Sequence, residues 1–111
     1  MAWLTRDGEV LASLEVAESP GARLVGLAGR DRLEGALLLS PPPLVLHTIG
    51  LSYAFDVAFC DADLQVLSTI SLARWRVALP RRHARRVVLA EAGAFERWRL
   101  AVGDHLEVKG A

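Results

Sequence analysis

The chain has 111 residues and a mass of 12.1 kDa, with 13 basic against 13 acidic side chains and no formal net charge. That length buries roughly two-thirds of its unfolded surface, enough for one core, so a single domain over residues 1–111 is expected. Apolar residues make up 52% of the chain and charged ones 23%, which excludes a disordered linker, and no apolar run reaches the roughly 18 residues of a membrane span.

The N-terminus lacks a basic region followed by an apolar stretch, and one cysteine, Cys60, leaves no internal disulfide framework; both predict a soluble, cytoplasmic protein. The neutral total hides a segregation. Residues 1–73 carry a net charge of −5, residues 74–90 carry +6 from six arginines and no acid, and the remainder carries −1.

In chain order, Trp3–Thr5 and Val10–Ala17 flank Arg6-Asp7-Gly8-Glu9 and read as a hairpin, with Val10, Ala12, Leu14 and Val16 facing inward. Ser19-Pro20 starts a short helix over about residues 20–28, and Gly29 ends it. Ala36–Leu39 is a short strand stopped by three prolines. Leu44–Ile49 and Tyr53–Cys60 read as strands, Asp61-Ala62-Asp63 turns the chain, and Leu64–Ser71 returns. Residues 72–84 read as an irregular arm. Arg86–Ala90 is a buried strand, Ala92–Arg99 a helix with Phe95 and Trp98 on its inner face, and His105–Lys109 a last strand. Short loops between consecutive strands predict a mainly β (α+β) fold: a small antiparallel, barrel-like sheet with two short helices.

Several motifs together carry a resemblance. Arg23-x-x-Gly26-Leu27-x-Gly29-Arg30, His47-Thr48-x-Gly50, Phe55-Asp56-Val57-x-Phe59, Trp75-Arg76, Ala92-Gly93 and Gly103-Asp104 resemble the domain of unknown function 192 family over about residues 15–108. The resemblance implies a compact, mainly β fold with short helices. It implies no reaction, substrate or cofactor. Three positions depart from the family pattern: Ala28 stands for a methionine, Leu64 follows Asp63 where a glycine is frequent, and Leu89 replaces an acid four positions before Gly93.

Asp56 is the foremost candidate. Alternation turns Tyr53, Phe55, Val57 and Phe59 one way and Asp56 the other, among Ala54, Ala58 and Cys60, where a carboxylate loses hydration and needs donors. If Leu44–Ile49 and Tyr53–Cys60 form a hairpin, any even loop puts His47 and Asp56 on one face. His47, Thr48 and Asp56 then line a candidate pocket, or His47 and Asp56 form an acid–base dyad. The structural alternative is a buried carboxylate that pins the hairpin through backbone N–H groups and His47, and it takes precedence because buried polar groups usually serve their own satisfaction.

Arg23 and Arg30 flank the first helix as candidate anion or partner contacts; the plainer reading has Arg30 binding terminal carbonyls and Arg23 pairing with Glu15 or Glu18. Trp75, Arg76, Arg81, Arg82, Arg85 and Arg86, within the Arg74–Arg86 segment, are candidate contacts to a protein partner or polyanion, or a solvated arm lying near Asp61 and Asp63. The segment has no nucleic-acid motif and one aromatic able to stack on a base, so nucleic acid is not the expected partner. His47, His83 and His105 are far apart and Cys60 stands alone, so no metal is expected. Without a glycine-rich phosphate loop, no cofactor is expected either. Cys60 reads as a small hydrophobe.

The leading expectation is a non-catalytic binding or protein-interaction module. The alternatives are a small enzyme, a hydrolase using Asp56 with His47, and a weak polyanion binder working through the arginine arm.

Overall fold

A computed structural model describes residues 2–17, 35–40, 46–47, 54–73, 77–78 and 83–110; at 17, 46, 47, 77 and 78 it describes the backbone alone. Strands β1 (Ala2–Arg6) and β2 (Glu9–Ala17) form the expected hairpin. Its two turn residues, Asp7 and Gly8, both take positive φ, 52° and 83°, the pattern whose twist matches the flanking strands.

The inward set on β2 differs from the expected one. Leu14 is buried and Ala12 packs against the core, but Val10 is 56% exposed and Val16 41% exposed. Leu4 pairs with Ala12 while Thr5 pairs with Val10, so Leu11 is an extra residue and the alternation reverses before it. Val16 lies beyond the pairing of Ala2 with Leu14, where β1 has ended.

The remaining elements are β3 (Ala36–Leu39), β4 (Leu46–His47), β5 (Phe55–Cys60), β6 (Val66–Leu72), β7 (Val77–Ala78), β8 (Arg86–Glu91), helix α1 (Ala94–Trp98) and β9 (Glu107–Gly110). Seven strands make one sheet in the order β6-β5-β8-β3-β2-β1-β9, and β4 pairs with β7 in a second, two-stranded sheet. The fold is mainly β, as expected. The large sheet is mixed, because β2 and β3 run parallel. A parallel pair needs a crossover connection, which a tight turn cannot supply. The helix expected at residues 20–28 falls between these strands and lies outside the described residues, as does much of the 72–84 arm, within which β7 is described.

Strict alternation along the three central strands builds a core on both faces of the sheet. Leu37 and Leu39 of β3, Phe55, Val57 and Phe59 of β5, and Val87 and Leu89 of β8 gather on one face. Ala36, Leu38, Ala58, Cys60, Val88 and Ala90 point to the other, where Leu4, Leu14, Leu106 and Phe95 of α1 join them. Phe95 and Trp98 sit three apart with ring centroids 5.6 Å from each other, as the inner face of α1 requires.

The sheet does not close into a barrel, yet its ends meet at one corner. The Val66 N–H donates to the Asp104 carbonyl and the Gly103 N–H to the Val66 carbonyl, both at 2.8 Å, while the Leu106 N–H donates to the Leu64 carbonyl at 3.0 Å. Leu64 holds this corner with φ of 63°, a left-handed conformation that costs a non-glycine residue roughly 1–2 kcal/mol. It keeps its side chain in the core, 4% exposed. Among the described residues no helix is long and apolar enough to cross a membrane.

Candidate functional site

The expected hairpin of His47 and Asp56 does not form. His47 pairs through β4 with Val77 of β7, whereas β5 lies between β6 and β8. The nearest strand in sequence is therefore not the neighbour in space, and the geometric premise of a His47–Asp56 pair is lost. The side chain of His47, and all of Thr48, lie outside the described residues.

Asp56 faces the alanine-lined side of β5, as alternation demands, and is 2% exposed. Its donors come from elsewhere. Ser71, directly opposite on β6, donates its hydroxyl to Oδ1 at 2.8 Å. The backbone N–H groups of Gly93 and Phe95 both donate to Oδ2 at 3.1 Å. Asp56 also lies opposite Ala90 of β8, so the chain leaving β8 passes over the carboxylate as it turns into α1.

This geometry explains the Ala92-Gly93 step. Gly93 is the N-cap of α1 with φ of 93°, a conformation open to glycine, and it has no side chain to cap the helix. A helix normally draws that acceptor from its own N-cap residue, bonding the N–H two or three positions on. Here Asp56, 37 residues earlier, supplies it. The arrangement is a carboxylate clamp that ties β5, β6 and the start of α1 together, its two oxygens accepting from three donors among the described residues.

The other end of α1 is held by a cation from β1. The Arg6 guanidinium donates to the carbonyls of Trp98 at 2.5 Å and Arg99 at 3.3 Å and pairs with Asp104 at 2.9 Å. Arg99 ends the helix in the left-handed region, φ 54°. Asp104 also accepts from the Ala101 N–H at 2.9 Å, which folds the loop under the helix end. An open groove of about 420 Å³ runs beside this network, lined by Arg6, Glu9, Val10, Leu11, Arg97, Trp98 and Arg99. Its cations are largely spoken for: Arg6 holds Asp104, and Arg97 holds Glu91 at 2.6 Å.

Of the arginine arm, Arg85 is exposed and its backbone N–H bonds the Cys60 carbonyl at 2.8 Å, while Arg86 is half-buried opposite Cys60. Arg23, Arg30, Trp75, Arg76, Arg81 and Arg82 lie outside the described residues. Asp61, expected near the arm, accepts from the N–H groups of Asp63 and Gln65, both at 2.9 Å, and shapes its own turn. Cys60 is fully buried, and that burial, with Asp61 nearby, pushes its thiol up to about 12. Such a thiol stays protonated at neutral pH and is no nucleophile.

The residues that sequence reasoning missed are Ser71 and the Gly93 and Phe95 amides, together with the whole Arg6–Asp104 network. Backbone donors leave no trace in side-chain composition. The Ala92-Gly93 and Gly103-Asp104 motifs marked the right places without showing the contacts.

The chain is similar along nearly its whole length to proteins of known sequence or structure. It is 26% identical over 108 residues to the UPF0127 protein PF1050 of Pyrococcus furiosus, covering 94% of this chain and 93% of that one. The crystal structure of a "putative transcription regulator" from Sinorhizobium meliloti 1021 superposes with a TM-score of 0.78 at 20% identity, over 96% of this chain and 91% of the other. A protein of unknown function from Novosphingobium aromaticivorans DSM 12444 superposes with a TM-score of 0.74 at 16% identity, over 96% and 82%. At those identities the two structures share the fold and nothing more is carried over. Residues 2–108 match the DUF192 family, described as "Uncharacterized ACR", and the chain belongs to that family.

Proposed function

We propose that this protein is a non-catalytic binding or protein-interaction module. The observation that carries the reading is the state of Asp56: the foremost acid–base candidate is 2% exposed and both its oxygens are engaged by Ser71, Gly93 and Phe95. A general base needs a lone pair directed at substrate and a path for substrate to reach it. A buried carboxylate that already accepts from two backbone amides and a hydroxyl has little left to offer a substrate, which supports a role in the fold. Purified protein is expected to hydrolyse a panel of generic esters, phosphoesters and peptides no faster than buffer. Turnover that Asp56→Asn or His47→Ala abolishes, with the fold intact by circular dichroism, contradicts the reading and restores the small hydrolase.

A second reading is favoured by the charge segregation. Residues 74–90 carry six arginines and no acid, and Arg85 is exposed. In this reading the arm contacts a polyanion through Arg81, Arg82, Arg85 and Arg86. Retention on heparin is then expected at low salt, falling steeply as salt rises and lost when those four become alanine. Retention that ignores salt, or its complete absence, removes the reading.

A further inference from the structure

The two edges of the large sheet are built differently. β9, at one edge, is four residues long and carries Glu107 and Lys109. Short, charged edges resist pairing with another chain. β6, at the other edge, reads Val66-Leu67-Ser68-Thr69-Ile70-Ser71-Leu72: seven residues with no charge, glycine or proline. The neutral run extends from Leu64 to Ala73. β-Branched, uncharged strands of this kind pair readily through their free backbone edge.

The edge is covered at one point. Val66 exchanges hydrogen bonds with Gly103 and Asp104, and Leu67, an extra residue opposite the step from Phe59 to Cys60, bulges the strand there. From Leu67 to Leu72 no strand among the described residues pairs on the outer side. Thr69 and Ser71 are exposed, and Leu67, Ser68 and Ile70 are half-buried.

We propose that β6 is a self-pairing edge, at which a second copy of this chain adds its own β6 antiparallel across a two-fold axis. The sequence suits that occupant. A two-fold axis at Thr69 sets Thr69 against Thr69, Ser68 against Ile70 and Leu67 against Ser71, a register with no charge opposite a like charge and with one hydroxyl pair at its centre. The same symmetry applied to β9 either centres on Lys109 and sets it against Lys109, or centres on Val108 and sets Glu107 against Lys109 in a register only three residues long, so β9 is set apart by its shortness more than by its charge. One strand pair buries less than the roughly 1,000 Å² that a stable interface needs, so the dimer is weak and concentration-dependent.

Sedimentation velocity on the full chain tests this. The mass is expected to rise from 12.1 kDa toward twice that value with concentration. Thr69→Lys is expected to raise the half-dimer concentration several-fold, because it sets two like charges face to face. Lys109→Thr leaves it unchanged. In a second assay, oxidised Thr69→Cys forms a cross-linked dimer faster than Val16→Cys, whose position is 41% exposed and lies on β2, four strands away from β6 in the sheet. Cys60 does not interfere, being fully buried. A monomer at every concentration to about 1 mM, far above the range of weak biological dimers, overturns the proposal. So does a dimer that Thr69→Lys leaves intact. A monomer that instead binds a synthetic peptide of the β6 sequence assigns the edge to another chain's strand and overturns self-pairing.

Discussion

Helix α1 is held at both ends by side chains from distant strands, and the two ends are held differently. At its start the acceptor is Asp56, 2% exposed, and its partners are two backbone amides and one hydroxyl. At its finish the donor is Arg6, with side chains 17% exposed at Arg6 and 27% at Asp104. Both signs suit the helix, an anion at the N-terminus and a cation at the C-terminus. A helix of five residues has no stability of its own, so these clamps and the burial of Phe95 are what define it. The contrast lies in water. It is one of degree: Asp56 and its bond from the Phe95 N–H are buried, although Ser71 and Gly93 themselves are exposed, whereas both side chains of the Arg6–Asp104 pair are partly reached by solvent.

Removing each clamp measures that difference. Asp56→Ala strands the buried Phe95 amide and takes the acceptor from the Gly93 amide, and we expect it to destabilise the protein by about 3 kcal/mol in urea unfolding. The loss should be nearly unchanged in 1 M salt, because the clamp is shielded from ions. Arg6→Ala should cost about half as much, roughly 1–2 kcal/mol, and part of that should vanish in high salt. Equal costs at the two ends would break the comparison.

The corner at Leu64 supplies a finer test, since its tension comes from backbone conformation in place of a clamp. Truncating a buried leucine is costly in any form. At φ of 63°, however, glycine should be better than alanine by about 1 kcal/mol, the reverse of the usual order. Leu64→Gly less stable than Leu64→Ala would show that the corner relaxes. The smallest effect belongs to the exposed pair of Arg97 and Glu91, with side chains 58% and 45% exposed. Arg97→Ala should change stability by no more than about 0.5 kcal/mol, and a larger value would give the groove beside α1 a structural weight it lacks in this account.

The same positions separate what a residue pattern encodes from what only the folded chain brings together. The period-two pattern of β5 is legible in the sequence because Phe55, Val57 and Phe59 and their alternates each find a core, and the burial of Asp56 follows from the same alternation. Its partners do not follow. Consecutive strands usually pair, and that rule leads from Asp56 to His47, but the chain pairs β4 with β7 and places β5 between β6 and β8. Gly93 lies 37 residues from Asp56 and contributes a backbone N–H, which every residue but proline possesses. The exposure of Val10 is hidden for a related reason. One bulged residue at Leu11 reverses the face of all that precedes it, and no side-chain pattern in β2 announces it. Likewise, nothing in Leu64 signals a left-handed backbone.

Amide hydrogen exchange at Gly93 and Phe95 tests the role of Asp56 most directly. In the native protein both N–H groups should exchange slowly, and Asp56→Ala should accelerate both by at least about tenfold beyond the change at the β1–β2 ladder, an added loss of about 1.4 kcal/mol of local protection. Acceleration no greater at these two amides than at the distant ladder would mean that the carboxylate does not hold the start of α1, and its burial would then need another explanation.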